Sequence, residues 1–351
     1  MTAAMPPQHM LYYYISFSET MRMSNRARRG APHTIYGLVV AAAVLCGAVA
    51  SNAAETAPKV VVSLKPLHSI VAGVMRGVAM PALLVSSAQS PHGYALRPSQ
   101  ARLLQQADAV FWVGPELERF LVKPVKYLSK NAKIVRLGAA VPLLPFRKHA
   151  LWQAAGDHAG HAGHGHKTAH GHGARDPHFW LDPLLTHTIV PVIERSLTAI
   201  DPANADRYRV NARQLEERLQ RLHEELDARL APVRQAPYLV FHDAYQYLEV
   251  RYRLASQGTV TLDPERRPGA RHLAEIRRKV AQNRVKCLFQ EPQFKPSTIA
   301  VVMEATAVGL GELDPLGVAQ KPGPDAYFKT LEALAENLTK CLGNSGPTPK
   351  N

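Results

Sequence analysis

The chain has 351 residues, of which 46% are hydrophobic and 20% charged. That balance belongs to a soluble globular protein with room for two ordinary domains and excludes an intrinsically disordered chain. The formal net charge is +14, yet lysine and arginine are scattered through stretches such as "RRKVAQNRVK" with no aromatic-interleaved patch, so no nucleic-acid partner is expected.

Residues 1–54 read as a secretory signal. Arg22, Arg26, Arg28 and Arg29 precede the apolar run "IYGLVVAAAVLCGAVASNAA", which ends in small residues near Ala54. Residues 1–20 read as an extension from an upstream start, since "MRMSNRARRG" already makes an n-region. Cys46 lies in the run, but Leu45 stands where a lipoprotein signal wants a small residue. An ordinary cleaved signal and a soluble, monomeric protein in the periplasm are expected. Four arginines and Glu19 leave with the signal, so the remainder carries about +11, read as exposed basic surface.

After the signal, strand-like and helix-like stretches alternate. "KVVVSLKP", "PALLVS", "AVFWVG" and "AKIVRLG" read as strands; "LHSIVAGVM", "RPSQARLLQQAD" and "ELERFLVKPVKYL" read as helices. From Asp201 and Pro202, which offer N-cap and N1 chemistry, Leu215, Leu219, Leu222, Leu226 and Leu230 recur at spacings of three and four. This predicts a helix over about 202–229, roughly 40 Å long at 1.5 Å per residue. The alternation then resumes. "PYLVFH", "LASQGTV", "KCLFQEP" and "LGELDP" read as strands, with helices in "DAYQYLEVRY", "GARHLAEIRRKVAQNRV", "STIAVVMEATAVG" and "AYFKTLEALAENLTKCL". The expected fold class is α/β: two (β/α)4-type lobes with parallel sheets, joined by one long rigid helix, with a metal site in the cleft between them. The expected boundaries are 55–201 for the first lobe, 202–233 for the connecting helix, 234–343 for the second lobe and 344–351 for a disordered tail.

Open α/β sheets bind ligands beyond the carboxyl ends of their strands, and three histidines fall there. His92 follows "PALLVS", His242 ends "PYLVFH" and His178 stands in "DPHFWLDP"; Asp314 ends the last strand. Singly, each has an ordinary structural role as a rival, such as capping, a turn or a core histidine bonded to backbone. Together they form a set suited to zinc, copper, nickel or iron, with Asp314 or a water completing a tetrahedron. Cys287 and Cys341 read as a disulfide in preference to a metal pair, because the compartment is oxidising.

The motifs "SPHGYALRPS", "FWVGPELE", "HFWLDP", "FHDAYQYLE", "PGARHLAEIR", "FQEPQF" and "LDPLG" occur in an order that resembles the periplasmic zinc-binding proteins of bacterial ABC importers, the ZnuA family. The resemblance covers about Val60 to Leu342. It implies that His92, His178 and His242 are the three zinc histidines and that Cys287 and Cys341 form the family's disulfide. It also implies a passive zinc carrier that docks on a membrane permease served by a separate ATPase. Some close relatives carry a glutamate directly before the first histidine, where this chain has Pro91.

Seven of the sixteen histidines crowd between Asp157 and Pro183. Six of them, His158, His161, His164, His166, His170 and His172, lie among Gly, Ala and Lys in a segment, 152–175, that lacks the apolar surface to order itself. They read as an accessory metal-collecting loop rather than as the working site. A zinc hydrolase is the first rival function, but the chain has no HExxH, GxSxG or P-loop, and Glu291 in "FQEPQF" is read as a residue of the fold. A carrier of nickel or manganese is the second; manganese would want more carboxylate in the cleft. An adhesin is the third class, and no adhesive surface is marked.

Overall fold

The structure is a computed structural model that describes residues 57–343, apart from 87–88, 148–174, 263, 266–267, 283, 295–296, 305 and 307. The expected signal, the six loop histidines and the tail lie outside the described residues.

The first sheet contains β1 (Val60–Leu64), β2 (Ala82–Val85), β3 (Ala109–Trp112) and β4 (Lys133–Arg136), all parallel, in the order β2-β1-β3-β4. The second contains β5 (Tyr238–His242), β6 (Ser256–Thr261), β7 (Cys287–Gln290) and β8 (Gly309–Glu312), again parallel, in the order β6-β5-β7-β8. The first strand of each lobe is thus central, and the strand order reverses beside it. That reversal leaves a crevice at the carboxyl ends of β1 and β5. β1 and β5 are buried along their whole length, which explains why "VVVSL" and "YLVFH" lack polar alternation.

The helices of the first lobe are α1 (Lys65–Val74), α2 (Pro98–Gln105) and α3 (Val122–Tyr127). The single helix expected over "ELERFLVKPVKYL" is instead a 3-10 turn, Arg119–Leu121, followed by α3. Pro124 has no N–H to donate and is accommodated most readily in a helix's first turn, and the α-helix begins just before it. α4 (Pro183–Ile200) has no counterpart among the expected elements. Its start signal is nevertheless plain: Asp182 caps it, accepting from the N–H of Leu184 at 2.9 Å and of Leu185 at 3.4 Å, with Pro183 following. The interior Pro191 masks the helical pattern.

The long helix, α5, runs Ala205–Leu230 after a 3-10 turn at Pro202–Asn204. Asp201 does not cap backbone as expected; its carboxylate accepts from Tyr208 Oη at 2.5 Å and Asn204 Nδ2 at 2.9 Å. The leucine stripe is buried from end to end and packs against α4, α1 and the last helix, α9 (Ala326–Gly343). The helix is therefore a spine covered along its length rather than a free-standing strut. The second lobe also carries α6 (Gln246–Tyr252), α7 (Ala270–Gln282) and α8 (Ser297–Met303).

One apolar cluster runs through both lobes, from Val60 and Ile70 through Leu219 and Leu226 to Tyr245, Tyr327 and Leu338. Polar ties reinforce it. Lys65, buried at the start of α1, donates from Nζ to the carbonyls of Gly317 at 2.7 Å, Val318 at 2.8 Å and Gln320 at 2.9 Å, all beyond β8. Trp180 Nε1 reaches Pro315 O at 2.9 Å in the same turn. Gly317 has φ +63, and a Cβ there would lie 2.1 Å from Thr330 Oγ1, so the turn admits only glycine at this position.

Cys287 on β7 and Cys341 on α9 form a disulfide across 54 residues of sequence. In the chain-entropy model a loop of that length contributes about 4 kcal/mol. Cys341→Ser should therefore lower the free energy of unfolding by up to about 4 kcal/mol, read from denaturant melts of oxidised protein. No difference from wild type would mean that the burial of α9 alone anchors it.

Candidate metal centre

Each of the three histidines reaches the crevice from a different part of the fold. His92 lies in the connection after β2, its backbone N–H bonded to Ser90 Oγ at 3.2 Å. His242 is the last residue of β5. His178 precedes the 3-10 turn Phe179–Leu181 that leads into α4. Their ring centroids form a nearly equilateral triangle, with separations of 5.5 Å (92 to 178), 5.7 Å (92 to 242) and 5.5 Å (178 to 242). One ring nitrogen from each falls within 4.8 Å of the other two, and no other such group of ligating side chains occurs among the described residues. Three nitrogens at about 2.05 Å from one ion stand roughly 3.3 Å apart, so small side-chain rotations suffice to close the set on a cation.

Two buried carboxylates decide which nitrogens face inward. Asp176, fully buried, accepts from His178 Nδ1 at 2.7 Å and from the His178 backbone N–H at 3.0 Å. Glu291, 3% exposed, accepts from His242 Nδ1 at 2.5 Å. A carboxylate can only accept, so Nδ1 of each ring holds the proton and the lone pair of Nε2 is turned to the cavity. His242 Nε2 is buried with no hydrogen-bond partner. Burial by itself would depress the His242 pKa, but the charge and hydrogen bond of Glu291 outweigh it and hold the imidazole above its ordinary range.

The surroundings are apolar and tight. Trp180 packs edge-on to His178 at 5.3 Å and Phe294 to His242 at 5.6 Å. The cavity between the rings has about 10 Å³ of free space, walled by the histidines with Trp180, Glu291, Gln293, Phe294, Pro315 and Leu316. That is room for about one water-sized body. Next to it, Arg147 bridges two further buried carboxylates behind His242, Asp243 at 3.1 Å and Glu249. Burial nonetheless pushes the Asp243 carboxyl up to about 7, against the pull of Arg147.

Asp314 is not drawn into the group. Oδ1 accepts from Gln293 Nε2 at 2.7 Å and from the Leu316 N–H at 3.1 Å, while Oδ2 accepts from the Val318 N–H. Its carboxylate is engaged by the turn after β8 and by Gln293. Glu291, read from the sequence as a residue of the fold, instead orients His242. Asp176 and Gln293 were missed altogether. The signal for Asp176 is its place two residues before His178; for Gln293 no signal stands apart from the "FQEPQF" motif itself.

No helix among the described residues is long and apolar enough to cross a membrane. Residues 60–341 match the family model described as ZnuA, zinc-uptake complex component A, periplasmic. A high-affinity zinc uptake system protein ZnuA of Brucella abortus (strain 2308) is 40% identical over 330 residues, covering 88% of this chain and 98% of that protein. Among solved structures, a crystal structure of ZnuA aligns with a TM-score of 0.68 at 24% identity, over 82% of this chain and 99% of that one. The solute-binding protein FpvC of P. aeruginosa, in complex with Ni2+, aligns with a TM-score of 0.67 at 22% identity over 82% and 98%. These two likenesses concern the fold. With its family match spanning nearly all the described residues, the chain belongs to the ZnuA family of periplasmic zinc-uptake components.

Proposed function

We propose that the protein is the periplasmic carrier of a zinc importer and that it holds zinc through Nε2 of His92, His178 and His242. The observation that carries this reading is the convergence of three imidazoles from distant parts of the chain, two of them fixed by buried carboxylates. An imidazole set with an open fourth position suits a borderline-soft, tetrahedral cation better than magnesium or manganese. The protein does no chemistry on its cargo. It captures the ion, docks on a membrane permease worked by a separate ATPase, and gives the ion up when docking disturbs the ligand set. The covered spine α5 and the ties from Lys65 and Trp180 favour a small rotation with local loop movement over wide lobe opening. Residues 1–54 serve as the export signal, and the accessory histidines from His158 to His172 collect zinc without forming the tight site.

Nickel is the second reading, because imidazole ligands suit it too and a structural neighbour is described with Ni2+. Native mass spectrometry of protein offered both ions at equal concentration separates the two: zinc occupancy is expected, and preferential nickel occupancy would reassign the cargo.

Substituting His92, His178 or His242 singly by Ala should weaken zinc binding at least tenfold in a chelator competition. A variant with an unchanged constant would remove that residue from the site.

An imidazolium cannot ligate, so affinity should fall as pH drops through the raised pKa of His242, beginning above the ordinary value of about 6.5. Glu291→Gln should cost roughly 10- to 100-fold in affinity and move that fall to lower pH. A pH profile identical to that of wild type would count against the role given to Glu291.

Deleting residues 158–172 should lower the number of zinc ions bound per chain while leaving the tightest site intact. Isothermal titration reads both quantities, and loss of the tightest site would reverse the assignment.

A further inference from the structure

Two residues that line the imidazole cavity, His242 and Gln293, each bury a polar atom without a hydrogen-bond partner. For His242 that atom is Nε2, which the proposed function already employs. For Gln293 it is Oε1, which nothing above employs. Unpaired buried acceptors are few in native proteins, and each calls for a physical reason.

The orientation of this carboxamide is imposed. Gln293 Nε2 donates to Asp314 Oδ1 at 2.7 Å, and an ionised carboxylate accepts only, so the NH2 end must face Asp314 and the oxygen must face away. Asp314 is fixed in turn by the N–H groups of Leu316 and Val318. Their turn is fastened from the other lobe by Lys65 on the carbonyls of Gly317 and Val318 and by Trp180 on that of Pro315. Both lobes therefore take part in setting one amide. Gln293 also stands, with Ser90 and Phe294, on the wall shared by the small cavity and an open one of about 630 Å³ beside it, from which water can reach the ion.

Resting on the three-imidazole reading, we infer that the carboxamide oxygen of Gln293 serves the fourth coordination position of the bound ion. It accepts a hydrogen bond from the water that completes the tetrahedron. Asp314 acts through it, as a positioning residue rather than as a ligand. Water on zinc is a far stronger donor than bulk water, and a fixed neutral acceptor holds it without adding a charged ligand to the three neutral imidazoles. A carboxylate expected near the metal is thus converted into an orienting group one residue removed from it.

The test uses the whole exported protein carrying Gln293→Leu, which keeps the side-chain bulk and removes the acceptor. Zinc affinity is measured by chelator competition, the fourth position by the visible ligand-field spectrum of the cobalt(II) form, and fold integrity by the thermal midpoint of metal-free protein. The expected result is a loss of roughly tenfold in affinity and displaced cobalt bands, with the metal-free midpoint unchanged. Asp314→Asn, which no longer dictates the amide's orientation, should displace the cobalt bands in the same direction and guards against a leucine variant that folds poorly. Wild-type cobalt spectra in both variants would overturn the inference, as would an affinity loss that merely follows a lowered midpoint. A wild-type spectrum that His178→Ala does not change would instead strike at the three-imidazole reading.

Discussion

The pairing of a buried carboxylate with an imidazole Nδ1, made twice, is the constraint on which the site depends. Asp176 on His178 and Glu291 on His242 choose the tautomer, fix each ring plane and turn both Nε2 atoms toward one small cavity. Without them, two buried imidazoles would be free to rotate and to present either nitrogen, and metal binding would first have to order them. With them, part of the entropy of assembling a site is already spent in folding. Two carboxylates buried this deeply are expensive to leave unpaired. The ring N–H groups relieve that burial, so the site and its supports stabilise one another.

The three rings meet only if the two sheets keep their relative placement, because His242 and its partner Glu291 belong to one lobe and the ring of His92 to the other. The fold meets this demand through its helices. α5 lies with its leucine stripe covered by α4, α1 and α9, and α9 is bound to the second sheet by the disulfide while packing on the first lobe's α1. Near the cavity, Lys65 and Trp180 hold the turn after β8. Arg147 and Tyr247 join the segment around residues 144–147 to α6 and the residues just before it.

The family and the candidate site stand on separate observations. Family membership rests on a match over residues 60–341; the site rests on distances and hydrogen bonds that owe nothing to the match. Asp314 illustrates why both are needed. Its position in "LDPLG" makes it a candidate ligand, whereas its oxygens answer the amides of its own turn and the side chain of Gln293.

Much of the architecture was legible along the chain because it is local. The central strands β1, β3 and β5 are short β-branched or apolar runs whose burial leaves no alternation, and α5 announces itself by leucines at three and four. His92 and His242 could be picked out because strand ends are where open α/β sheets gather ligands. What stayed hidden is what packing and the placement of side chains decide. The break before Pro124 and the helix around Pro191 turn on how proline is accommodated in packing, which periodicity does not register. Asp176 and Glu291 are ordinary acidic residues until folding places them against a ring nitrogen, in the case of Glu291 from 49 residues away. The roles of Asp314 and Gln293 depend on which atoms lie within hydrogen-bond reach, and only the tertiary structure decides that, since a carboxylate's partners are set by position in space and not by its neighbours along the chain.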